Sequence, residues 1–509
     1  MSAISNAVGT ERLSRVSGYK IRKGIFTNDT ANLPQMIAVF GEANTANQSG
    51  LTADKREVTS AKEAADLYGY GSPIHRIMSI LRPVNGGDGV GGIPTIVFPQ
   101  VTDEAATATE IEWTVTGTAT ANTTHFVVIN GRDTINFQTL AYSVVIGDTA
   151  TVIAGKIKDA INSVLGAPVT AANTLGVMTA TTKWKGATSA EVNIVIDYGD
   201  NSAGLTYTNS DTTDGTGAVD LADSLVQFQN DWYTCVINPY GSVQSNTLAT
   251  FETFNGVPVD NPTGRWSATV FKPFMAFFGS VLNTRSGLVA ITDANARVEQ
   301  VTNVLCPAPN SSGFTWEAAA NMVALFARQM QDNPHLDVNN LAYPDMPVPS
   351  DGNIGDMADY NNRDLLVKAG CSTVILENGA YKVMDLVTTY HPDGETPLQF
   401  SYCRNLNLDW NVKDSYTTLE AIRLRDKTLV LDNQNVTVSG AIKPREWKAV
   451  LFDLFEDLAE KALINDPQFS KDSLVVQISS TNPNRFETLF RYKRTGIARI
   501  ESTDAEAGF

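Results

Sequence analysis

Apolar residues change their spacing from one stretch of this chain to the next, and each spacing predicts an element. Residues 35–41 form a nearly continuous apolar run that stops at Gly41, the signature of a strand buried on both faces. Ser60 and Glu63 then make a capping box for a short helix reaching Tyr68, since hydroxyl and carboxylate can each satisfy a backbone amide left free at a helix start. Pro73 suits the first position of a second helix, whose Ile74, Ile77, Met78 and Leu81 share one face before Pro83 stops it. A glycine-rich stretch, 86–92, leads into a strand predicted over 95–98.

From about residue 102 to 219 threonine, alanine and glycine dominate, and strands are predicted at 110–116, 125–129, 134–140, 176–182 and 193–197. One helix interrupts them. Asp148 is its expected N-cap, Ile153, Ile157, Ile161, Val164 and Leu165 its inner face, and Gly166 with Pro168 its stop. A polar loop over 209–217 closes the stretch. Because the earlier kind of signal resumes at Leu221, the stretch reads as a β-rich domain inserted into the first one.

Next come a helix over 221–229, a buried strand over 232–238, a strand-like 301–306 and a helix over 315–331. That helix starts near Trp316 and turns Ala319, Met322, Val323, Phe326 and Met330 to one side. Such alternation suggests a sheet with helices on its faces. Residues 340–359, rich in Pro, Asp and Asn, read as a long excursion. A helix over 363–369, capped by Gly370, precedes a hairpin of 373–377 and 381–390 turning at Asn378-Gly379. The last helix is predicted over 444–464, about 30 Å long at the rise of an α-helix. Trp447, Val450, Leu451, Leu454, Phe455, Leu458 and Ala462 lie on one side of it, Glu446, Asp453, Glu456, Asp457 and Glu460 elsewhere, and Pro467 ends it. After a strand at 474–478, Phe486, Thr488, Phe490 and Tyr492 alternate with Glu487, Arg491 and Lys493, the pattern of a half-buried strand. Chain ends ordinarily fray. This strand must pair with another molecule or with its own chain, for which the 373–390 hairpin is the conservative choice.

Charge adds a second pattern. The 509 residues carry a net −17, which discourages nucleic-acid binding, because phosphate contacts need a basic stripe. Residues 103–220 hold thirteen acidic side chains against five basic ones, whereas 11–23 and 485–499 each hold five basic residues against one acid. Two basic ends therefore flank an acidic body, and the first reads as an extended arm with Val16, Tyr19 and Ile21 spaced among its charges. No secretory signal is recognised at the N-terminus. The longest greasy run, 271–282, contains Lys272, Pro273 and Gly279 and falls well short of the roughly 20 apolar residues of a spanning helix, so no membrane insertion is expected.

Candidate chemistry is sparse. Cys235, Cys306, Cys371 and Cys403 show no metal or redox spacing and read as buried thiols. The histidines His75, His125, His335 and His391 belong to no metal motif, and no nucleophile elbow occurs. The glycine-rich 86–92 lacks the Lys-Ser or Lys-Thr of a phosphate loop. His391 with Asp393 and Glu395, and His335 between Asp332 and Asp337, put carboxylates near a base, but loop and helix-stop composition explains both. No cofactor or metal is expected.

Several segments together resemble the contractile tail sheath proteins of bacteriophages. They are 58–74, 128–132, 167–171, 231–240, Asn261-Pro-Thr-Gly-Arg-Trp266, 316–320, and 362–370 leading to 386–390, in that order and nearly end to end. The resemblance implies an α/β (α+β) core over 26–101 and 221–484, an inserted β-rich outer domain over 102–220, and extended arms over 1–25 and 485–509. It implies homo-oligomeric hexameric rings stacked helically around a tail tube protein, with baseplate and tail terminator proteins as further partners. It places the chain in the virion tail, assembled in the bacterial host cytoplasm, and needs no cofactor for contraction. Mapped onto this chain, Val16, Tyr19 and Ile21 in the first arm and Phe486, Phe490 and Tyr492 in the last would add strands between subunits. The acidic-sided helix, through Glu446, Asp453, Glu456, Asp457 and Glu460, is the candidate tube-facing element. The alternative from another class is a multidomain, polymer-acting hydrolase with a β-rich binding insert.

Overall fold

A computed structural model of the chain describes residues 32–84, 89–259, 261–394 and 399–507. At its centre lie five parallel strands, Ile37–Glu42, Thr95–Gln100, Cys235–Ile237, Met275–Ser280 and Asn303–Pro307. Their order across the sheet is second, first, third, fourth, fifth, with the two-residue strand Arg56–Glu57 antiparallel on the outer edge of the second. Alternate side chains feed two cores. Ile37, Val39, Val97, Cys235, Ile237, Met275 and Phe277 point into the larger one, under the helices Pro73–Leu81 and Thr315–Asp332. Ala38, Phe40, Phe98, Val236 and Ala276 point into the other, where Phe40 stacks on Phe98 at 5.1 Å between centroids and meets the edge of Phe251 at 5.3 Å. The apolar run at 271–282 is thus the source of a wholly buried strand, Met275–Ser280.

Residues 102–220 leave the carboxyl end of the second strand and return before the third. They form a four-stranded antiparallel sheet ordered Thr206–Thr213, Glu110–Thr116, Val177–Thr182, Val169–Thr174, and a three-stranded one ordered Ile194–Asp197, Thr123–Ile129, Ala141–Val144. The helix Ala150–Ser163 packs on both sheets through Ile153, Ile157 and Ile161, all fully buried. Apolar contact is continuous from this segment into the larger core. Several predicted details change. The expected strand at 134–140 is a tight hairpin, Thr134–Ile135 with Gln138–Thr139, because Asn136 and Phe137 both take positive φ. The polar loop expected over 209–217 is mostly strand, Thr206–Thr213, bulged between Asn209 and Asp211. Thr149 stands at the helix N-cap, while Asp148 accepts from the Val145 amide at 2.8 Å and pairs with Lys156 at 2.5 Å; Leu165 faces outward.

The C-terminal part is built on two helices, Cys403–Leu419 and Pro444–Glu460. Their common core takes Leu408, Val412 and Leu419 from the first and Trp447, Leu451, Leu454, Phe455 and Leu458 from the second. The second helix stops at Glu460, four residues before the predicted end, and Ala462 turns the chain at positive φ. Pro467 starts a further helix, Pro467–Ser473, in which the Asp466 carboxylate accepts from the Phe469 amide at 3.1 Å. The second strand of the Asn378-Gly379 hairpin is shorter than expected, Ala380–Asp385. The excursion over 340–359 is tied to that hairpin by amides of Asn340 and Tyr343 donating to the carbonyls of Val383 and Tyr381.

Candidate assembly surfaces and the sealed crevice

In open sheets of parallel strands, ligands enter where the strand order reverses, outside the carboxyl ends. That place lies between Ile37–Glu42 and Cys235–Ile237, and here the chain fills it itself. Glu42, 1% exposed at the end of the first strand, accepts a hydrogen bond from Thr188 at 2.9 Å, and Thr188 accepts one from the Trp184 indole at 3.0 Å. Burial pushes the Glu42 carboxyl up to about 7. Nearby Glu191, raised by burial to about 7, accepts from the Thr315 amide and hydroxyl at 2.8 and 2.6 Å. Thr188, Trp184 and Glu191 all come from the 102–220 segment, whose connection over 183–191 closes over the crevice.

A second tie lies beside the first. Glu317, buried at the start of its helix, accepts from Arg76 at 2.6 Å and from Arg132 at 2.9 Å, and Asp345 accepts from the same two guanidiniums at 2.7 and 3.2 Å. Burial alone would raise the Asp345 carboxyl, but Arg76 and Arg132 outweigh it and hold it down to about 2. The four charges lie along a cavity of about 440 Å³ between the two parts of the chain. They are spent on each other. Arg132 belongs to the 102–220 segment and Asp345 to the excursion, which the ring therefore fixes in place.

Of the acid-base groups suggested by sequence, Glu395 lies outside the described residues, and the two histidines meet other groups. His391 pairs with Asp293 at 2.8 Å, and its other ring nitrogen meets the Thr389 carbonyl at 2.7 Å. His335 contributes its backbone carbonyl to Arg404. All four cysteines are buried and free.

Of the strand-arm residues, Val16, Tyr19 and Ile21 lie outside the described residues. The terminal strand, Phe486–Leu489, pairs antiparallel with Val475–Ile478 and not with the 373–390 hairpin. Phe486, Phe490 and Tyr492 are half-buried against the two-helix core. Phe490 lies 5.6 Å from the Tyr416 ring and 5.3 Å from that of Phe455, and the Trp447 indole donates to Thr488 at 3.3 Å. This hairpin has two strands, so each keeps one edge without a ladder partner among the described residues. Further on, Lys493–Arg494 pairs antiparallel with Ile464–Asn465, a contact the sequence pattern did not signal. On the Pro444–Glu460 helix, Glu446, Asp453, Glu456 and Glu460 are exposed and Asp457 half-buried. Glu446 accepts from the Lys443 amide at 3.0 Å, and Glu456 is held by Lys471.

No family model matches the chain. The Mu-like prophage FluMu tail sheath protein of Haemophilus influenzae is 24% identical to it over 457 residues, which cover 87% of each chain. Among solved structures, the sheath tail protein of Desulfitobacterium hafniense aligns with 94% of this chain and 100% of its own, at 11% identity and a TM-score of 0.45. The sheath of an extracellular contractile injection system in its contracted state aligns with 98% of this chain and 99% of its own, at 7% identity and a TM-score of 0.46.

Proposed function

From its homology with tail sheath proteins, we propose that this chain is the structural, non-enzymatic subunit of a contractile tail sheath. The observation that carries the reading is the 24% identity sustained over 87% of both chains. Copies stack as hexameric rings around a tail tube, between a baseplate and a tail terminator, in a particle assembled in the cytoplasm of a bacterial host. Contraction drives the tube through an envelope. The segment over 102–220 faces outward as an inserted domain, and the terminal segments over 1–25 and 485–509 are the couplings between copies.

The interior supports such a role. A sheath subunit must move as a rigid body while its couplings bend, and here the crevice that an enzyme of this topology leaves open is filled by Trp184 and Thr188. Strand addition suits the couplings, because main-chain hydrogen bonds bind neighbours without fixing the angle between them. The hairpin of Val475–Ile478 and Phe486–Leu489 offers such an edge, with Phe486, Phe490 and Tyr492 anchoring it to the helices below. The acidic side of Pro444–Glu460 is the candidate tube contact.

Negative-stain microscopy of the purified full chain is the direct test. Rings, tubes or sheaths are expected across a range of concentration and salt. A chain that stays monomeric throughout, or that hydrolyses a polymer, sinks the reading.

A further inference from the structure

The acidic segment over 102–220 leaves two of its own cations unspent. Of its five basic side chains, Arg132 is held by Glu317 and Asp345, Lys156 by Asp148 and Lys158 by Asp159. Lys183 and Lys185 meet no carboxylate among the described residues. Both line one open cleft of about 790 Å³, between the segment and the loop that follows the first strand. Three hydroxyls share its walls, Thr45 from the loop and Thr170 and Thr181 from paired strands of the segment, and none of the three makes a hydrogen bond with a described residue. The single carboxylate on the walls, Asp66, is already taken by Lys62 at 2.6 Å. Lys183 is the least satisfied of these groups. Half-buried, it gives its ammonium to the Leu165 carbonyl at 2.8 Å and, at 3.4 Å, to the Tyr70 carbonyl that the Asn44 amide already occupies at 2.8 Å. Burial without a counter-charge pushes it down to about 8. Asn44, 7% exposed on the same wall, keeps its Oδ1 without a donor.

We propose that this cleft binds the phosphoryl group of a small phosphate monoester, held by Lys183 and Lys185 and by the hydroxyls of Thr45, Thr170 and Thr181. A tetrahedral dianion has oxygens enough for donors of this number and kind, whereas a halide or a single carboxylate leaves most of them unmet. Its charge supplies what Lys183 lacks. The cleft is far larger than a phosphoryl group, so room remains for the organic part of an ester. Because the donors come from both sides of the junction, the bound ester fastens the segment to the body. The inference does not depend on the sheath reading.

Lys183 itself reports on the site. The full-length chain is acetylated at pH 8 with a short succinimidyl ester and mapped by mass spectrometry, in glycerol 3-phosphate, in inorganic phosphate and in chloride at matched ionic strength. Both phosphates are expected to slow Lys183 relative to chloride, the ester more strongly. A slowing of about fivefold is the fall in free amine when a bound anion raises the ammonium from about 8 to about 9. Lys368, which pairs with Asp364 outside the cleft, should keep its rate. Protection should vanish in Lys185→Met, where the reporter remains; Thr181→Val takes its place if that variant does not fold. Equal protection by the two phosphates at equal concentration overturns the ester and leaves free phosphate as the ligand. Lys183 slowed no more than in chloride, or no more than Lys368, overturns the site, as does protection that survives in Lys185→Met.

Discussion

Glu42 has the most to say among single residues, because the protein keeps a carboxyl buried at the end of its first strand. Its acidity is pushed from 4.5 to about 7 by burial. Below pH 4.5 the group is neutral in both folded and unfolded chains; above it the unfolded chain ionises first. Stability that is fully present at low pH is therefore lost as pH rises to about 7, by roughly 3 kcal/mol for this group alone. Glu42→Gln imitates the neutral form, so its thermal midpoint should match the parent near pH 4.5 and exceed it at pH 8. An advantage that shrinks with rising pH would refute this account. Asp345 behaves in the opposite way, since Arg76 and Arg132 hold its carboxyl down to about 2, and the same two guanidiniums bind the buried Glu317. Arg132→Ala should cost about 3 kcal/mol in denaturant unfolding at neutral pH, because Glu317 stays buried with one cation fewer. A loss below about 1 kcal/mol, the size of an exposed pair, would mean that the ring does not bind the segment to the body.

At the scale of elements, the terminal hairpin is held by its apolar face. Phe490 sits between Tyr416 and Phe455, so Phe490→Ala should lower stability by about 2 kcal/mol and speed amide exchange in 475–489 more than in the central sheet. Uniform acceleration would show that the hairpin does not open separately. This face was legible in the period-two pattern, but its partner was missed: the local turn over 479–485 returns Phe486–Leu489 onto Val475–Ile478, while nothing local ties Lys493–Arg494 to Ile464–Asn465. The parallel strands were legible for the converse reason: buried on both faces, they are apolar throughout. The helix Cys403–Leu419 escaped notice because polar side chains share its buried surface. Arg404 goes inward to the His335 carbonyl, and Asn411 to the Leu33 amide at 2.8 Å, so no apolar stripe marks it. Thr206–Thr213 escaped for lack of burial, its residues being almost all exposed on a sheet edge.

At the scale of the whole molecule, charge sets the terms on which copies meet. Basic ends and an acidic body suggested attraction between neighbours, which salt would weaken. The structure redirects that argument, because Arg485, Lys493, Arg494 and Arg499 already hold carboxylates of their own chain, at Glu487, Asp466, Asp409 and Asp337. Paired in this way, they offer a second copy less attraction than their count suggests. What an approaching copy meets at long range is the net −17. Repulsion of that kind is screened over about 30 Å at 0.01 M salt and about 10 Å at 0.1 M. Assembly followed by light scattering should therefore accelerate between those two salt concentrations, and the concentration of chain needed to start it should fall. Faster assembly at the lower salt would mean that complementary patches outweigh net charge, and would return the first 31 residues, whose basic side chains lie outside the described structure, to the centre of the problem.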